Sequence, residues 1–270
     1  MAGKINLRGA SRGVAGILCA WLAFTPARAD TVADWNRIAV HVAMHSGQPL
    51  EYNLRAVAMA HVAMLETLNF IEKRYEPQFV VASSGPAGVA GGAAAAAAAH
   101  HVLGALYPDQ ADALDAALRA ARDLPGERGA GKITGASIAA LIRAVSQSSQ
   151  ETQAPGIHFG TSPLTWNGRV AELIAARKLT PIESARIHAL VSTAITQSYE
   201  EARRARHECA PCIANPAVVS ILEEELGARL SLIAERETAD DQAAGRRIGR
   251  QAMARYRPIS PETSSPAPAH

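Results

Sequence analysis

The chain has 270 residues, 48% of them hydrophobic and only 4% aromatic, with 27 Lys and Arg against 25 Asp and Glu. Its first 29 residues hold Lys4, Arg8, Arg12 and Arg28 and no acid, so the remainder sets 23 basic residues against 25 acidic, a net charge of −2. That excludes the basic footprint of a nucleic-acid binder, while the length supports one good core with no linker dividing it.

In chain order, the cationic start leads into an apolar run, Val14 to Phe24, and then Ala27-Arg28-Ala29. This is the pattern of a secretory signal cleaved after Ala29, which predicts a periplasmic or secreted mature protein of 241 residues. The apolar run is too short for a membrane span. Cys19 sits inside it in poor context for a lipoprotein site, so Cys209 and Cys212 are the cysteines of the mature chain.

Helical periodicity dominates the mature chain. Trp35, Ile38, Ala39 and Val42 mark one face of a first helix, and Pro49, at a first helical position, opens a longer one to about Arg74. A Gly/Ser/Pro loop, 82–92, precedes an alanine-rich helix from Ala93 to Leu106. Another helix is predicted over Ala111 to Leu124 with Leu114, Ala117 and Leu118 on one stripe, then one over Ile133 to Val145 and a polar surface loop, 146–163.

Thr180-Pro181-Ile182-Glu183 is a capping box that starts a helix to about Arg206, with Ile187, Leu190, Val191, Ala194, Ile195 and Ser198 inward. Asn215-Pro216 predicts the start of a helix over Ala217 to Leu226, stopped by Gly227. Thr238 and Asp241 begin the last, to about Tyr256, and the Pro/Ser-rich residues 257–270 read as a disordered tail.

Two segments of the chain repeat. Trp35-Asn36-Arg37-Ile38-Ala39, Pro49-Leu50-Glu51, Arg55, Ala58 and Ala63 match Trp166-Asn167-Gly168-Arg169-Val170-Ala171, Pro181-Ile182-Glu183, Arg186, Ala189 and Ala194. The expected fold is therefore all-α, one domain over 30–256 built from two pseudo-repeated helical half-bundles, about 30–147 and 164–256.

Asp34-Trp35-Asn36-Arg37-Ile38-Ala39, the Ala58 to Met64 segment, the alanine-rich helix into Leu106-Tyr107-Pro108, and Trp166-Asn167 together resemble exported bacterial vanadium-dependent haloperoxidase-like proteins. These belong to a superfamily with type-2 phosphatidic acid phosphatases and bacterial acid phosphatases. The resemblance implies two helical bundles and an oxyanion, vanadate or phosphate, held by Lys and Arg, a Ser-Gly-His turn, and a later Arg, His and Asp group. A multiply charged oxyanion needs cationic partners, and a histidine must supply the axial or nucleophilic nitrogen. Ser-Gly-His is absent from the chain, and the residue four before Asp241 is Glu237. The expectation is a lost or altered catalytic site, no cofactor beyond vanadate or phosphate by resemblance, and a binding or scaffold role; the alternative is an active enzyme with a rebuilt oxyanion site at Arg206, to which folding would have to bring a histidine such as His207 or His188. No nucleic-acid or membrane-spanning partnership is expected, and a homo-oligomer is compatible with the sequence.

The residues that remain for chemistry are few. Arg206, His207 and Asp241 are the weak catalytic candidates, and Arg203, Arg204 and Arg206 the anion-binding ones, although a basic last helical turn also answers the helix dipole. His41, His45 and His61 do not specify a metal site, and His100 and His101 point to different sides of a helix. Cys209-Ala210-Pro211-Cys212 predicts a disulfide pinning the loop before the Asn215 helix, with a thiol–disulfide role as a further alternative.

Overall fold

The computed structural model describes residues 30–79, 91–122, 163–228, 230 and 237–259. The predicted signal (1–29), the helix predicted over Ile133 to Val145 and the polar loop up to residue 162 lie outside the described residues. Within them the fold is all-α. Its helices are α1 (Thr31–Met44), α2 (Leu50–Glu72), α3 (Gly91–Leu106), α4 (Ala111–Arg122), α5 (Thr165–Arg177), α6 (Pro181–Ala205), α7 (Ala210–Leu226) and α8 (Ala239–Arg255), with a 3-10 turn at Pro108–Gln110.

α2 and α6 lie against one another at the centre. α3 and α1 cover α2, α7 and α8 cover α6, and α5 rests on α1 and α6. α2 is long and apolar enough to cross a membrane, but its most apolar 18-residue window is 78% buried, so that apolarity faces the other helices. Alanines line the closest packing: Ala94 to Ala99 of α3 are all buried, and a Cβ at Gly91 would come 2.9 Å from Leu68 Cδ2. α8 approaches α7 through Gly245 and Gly249, where an added Cβ would meet backbone atoms of Ile213 and Ala217.

Local chemistry sets the helix ends. Asp30 caps α1 by accepting from Val32 N–H at 3.1 Å, and its other carboxylate oxygen accepts from the Ser184 hydroxyl at 3.1 Å, tying α1 to α6. Glu183 accepts from the Thr180 N–H and hydroxyl, and Asp241 does the same for Thr238, as the capping boxes predict. Gly227 ends α7 in the left-handed conformation.

Three expectations differ from the observed fold. Pro49 is the N-cap residue of α2, which begins at Leu50. α7 begins at Ala210, seven residues before the predicted start, and runs through Pro216; Asn215 caps nothing there, because its side-chain oxygen accepts from Trp166 Nε1–H of α5 at 3.0 Å. The predicted tail begins with ordered residues: Arg257 O accepts from Glu76 N–H and Ile259 N–H donates to Arg74 O, an antiparallel bridge of Tyr75 with Pro258.

Arg186 of α6 holds that end of the molecule together. Its guanidinium binds both carboxylate oxygens of Glu225, one at 2.7 Å, its Nε–H donates to Tyr256 O at 2.8 Å, and it lies 5.0 Å from the centre of the Tyr75 ring. One side chain thus links α6 to α7, to the end of α8 and to the strand-like turn after α2.

Candidate functional site

The sequence candidates converge on the corner where α6 ends and α7 begins. Arg206 terminates α6 with φ 53°, in the left-handed region, and the next amide, His207 N–H, folds back to Ala202 O at 2.8 Å. This reversal directs His207 toward α8. Its Nδ1 accepts from Cys209 N–H at 3.1 Å, and its Nε2–H donates to Asp241 Oδ1 at 2.9 Å. Asp241 is buried at 4% exposure, and its other oxygen serves the Thr238 cap. The structure therefore brings His207 and Asp241 together, and both imidazole nitrogens are committed.

The arginines do not join them. Glu200 accepts from Arg55 at 3.1 Å and from Arg204 at 3.5 Å, and Glu201 accepts from Arg247 of α8 at 3.0 Å. Of the three candidate arginines, Arg204 thus shares a carboxylate one turn back. Arg203 is half-buried, and Arg206 is exposed with no side-chain partner among the described residues. These ion pairs are largely solvent-exposed, so each contributes little to stability, on the order of 1 kcal/mol or less.

Cys209 and Cys212 form a disulfide across the first turn of α7. Cys209 is the N-cap residue and partly exposed, whereas Cys212 is buried at 1%. The bridge closes on the helix start itself, which corrects the expectation that it would pin a loop before a helix at Asn215.

A second cluster lies on the face where α2 meets α6. His61 and His188 stack at 5.0 Å between ring centres and are fully buried. The Ser192 hydroxyl donates to His188 O at 2.7 Å and accepts from His61 Nδ1–H at 2.6 Å. Among the described residues, His61 Nε2 and both ring nitrogens of His188 have no hydrogen-bond partner. Burial holds both imidazoles neutral: it lowers His61 far below its ordinary range, reinforced by His188, and lowers His188 to about 3. Sequence reasoning uses His61 only as a metal-ligand candidate and His188 only as a nitrogen that folding would have to bring to Arg206. A signal for the His61–Ser192 contact is present, because the two are 131 residues apart, the same offset as Trp35 and Trp166.

His41, His45 and His100 contact one another or a carboxylate. His41 and His45 face each other at 4.2 Å, with His45 Nδ1 on His41 O. His100 binds Asp115 of α4 at 2.7 Å and meets the edge of Trp35. No group of three or more His, Cys, Asp or Glu suited to a metal ion occurs among the described residues. Compared with protein-family models, with curated proteins and with solved structures, the chain matches none.

Proposed function

We propose that this is an exported helical protein that resembles the haloperoxidase and acid-phosphatase scaffold, has lost the oxyanion-processing centre, and acts in binding or as a scaffold. The observation that carries the proposal is the commitment of His207: vanadate peroxidation and phosphomonoester hydrolysis by the family's mechanism need an imidazole nitrogen open to vanadium or phosphorus beside cationic groups. At the Arg203, Arg204 and Arg206 turn, the adjacent imidazole has one nitrogen on the Cys209 amide and the other on Asp241. His188, the other histidine a rebuilt site would require, is sealed between α2 and α6.

Two contacts support descent from a duplicated helix pair. Asn36 donates to Asn167 O across 131 residues, and His61 meets Ser192 across the same separation. Positions equivalent under a two-fold repeat touch each other only on its axis, and both contacts fit that geometry. The packing of α2 with α3 also parallels that of α6 with α7. Export is supported by the leading cationic and apolar segment and by the disulfide, a bond that persists in oxidising compartments. Met44 and Ile259 are the exposed large hydrophobic residues among those described, so an interaction surface on this part of the chain is polar.

Purified protein supplied with vanadate, peroxide and bromide is expected to brominate a phenol-red-type acceptor no faster than vanadate alone, and to leave aryl phosphates intact. Turnover above that background, lost on His207→Gln, would establish the rebuilt enzyme instead.

A further inference from the structure

We propose that Cys209 and Cys212 form a thiol–disulfide exchange centre that oxidises a dithiol substrate, with Cys209 as the sulfur attacked. The two sulfurs are unequal in the way exchange requires. Cys209 stands at the partly exposed N-cap of α7, while Cys212 is buried within the first turn. An incoming thiolate therefore reaches one sulfur and displaces the other, which sits where the partial positive charge of a helix start favours a thiolate.

The surroundings carry charge of both signs. Arg203, Arg204 and Arg206 precede the motif within six residues, opposed locally by Glu208, and Pro211 withholds one amide from the helix start. His207 is a positioning residue: its Nδ1 fixes the Cys209 amide, and the buried Asp241 carboxylate fixes His207 in turn. The outer sulfur is thereby carried on a turn anchored to α8, instead of on a free loop. A bridge serving only to staple a helix start would require neither the unequal exposure nor the anchored imidazole.

The exchange balances within the protein and its substrate. One substrate thiolate attacks Cys209 Sγ, the Cys209–Cys212 bond breaks, and its electron pair leaves on Cys212 Sγ, which takes a proton from solvent. The second substrate thiolate then attacks its own sulfur in the mixed disulfide and releases Cys209 as thiolate. The substrate dithiol becomes a disulfide, and the protein pair becomes a dithiol.

Folded full-length protein treated with millimolar glutathione is expected to lose its disulfide without denaturant, as read by mass after acid quench and alkylation. In Cys212→Ser, Cys209 should be alkylated at about pH 6 at least tenfold faster than free glutathione, and His207→Gln in that background should move the midpoint of its pH–rate profile upward. A wild-type pair that stays oxidised until urea is added overturns the proposal, as does a Cys209 that alkylates no faster than glutathione. The wild-type reduction is decisive even if the variants do not fold. Neither readout depends on oxyanion chemistry, so its result is separate from that of the peroxidation assay.

Discussion

Among the described residues, His61 and His188 carry an unbalanced polar cost. Three ring nitrogens between them are buried without partners, and an unsatisfied buried polar group typically costs about 1–3 kcal/mol. Both rings are neutral in the folded protein, whereas in the unfolded chain they titrate near the ordinary value of about 6.5. The unfolded state therefore binds more protons below that pH. Stability is fully present above about pH 6.5 and falls as pH drops through it, continuing toward the folded value of about 3 for His188. At about pH 5 His188 withdraws about 2 kcal/mol, and His61 adds to the loss in the same direction. Urea unfolding at pH 7.5 and pH 5 should show that loss, and His188→Leu should reduce it while remaining at least as stable as wild type at the higher pH. An equal acid loss in the variant would show that the pair does not govern it.

At the scale of elements, the closest approach is between α7 and α8. A Cβ at Gly245 would lie 2.5 Å from Ile213 O and 2.9 Å from Ala217 N, and one at Gly249 would lie 2.8 Å from Ala217 O. These neighbours are backbone atoms and cannot step aside, so the helices must separate. Gly245→Ala or Gly249→Ala should destabilise the protein by roughly 1–3 kcal/mol, whereas Gly104→Ala, with open space around it, should be neutral or slightly stabilising in thermal melts. Much of this level is legible in the sequence: the two capping boxes, the Gly227 stop, the inward stripe of α6 and the packed alanine helix all rest on local periodicity and end chemistry. The start of α7 is not, because Asn215-Pro216 carries a genuine helix-start signal. Tertiary contact overrides it: Asn215 is taken by Trp166, and Pro216 packs where α8 crosses. The site is legible in part. His207 and Asp241 stand out as residues, but their meeting depends on a left-handed Arg206 turn that local spacing does not specify, and the His61–His188 stack depends on which faces α2 and α6 turn to each other.

For the whole molecule, the described helices share one core, with α2 and α6 at its centre and the Arg186 clamp at one end. Arg55, Arg186 and Arg247 are held in ion pairs that join α2, α6, α7 and α8 to one another, and Arg204 pairs within α6. A protein organised in this way is expected to be held together by its apolar core, with its cations in ion pairs between helices and no oxyanion centre to focus them. The most direct measurement is a calorimetric titration of the full-length protein with orthovanadate, repeated with inorganic phosphate at low ionic strength. A lost oxyanion centre predicts no saturable heat for either anion. One-to-one binding tighter than about 100 μM, weakened by Arg206→Ala, would contradict that loss.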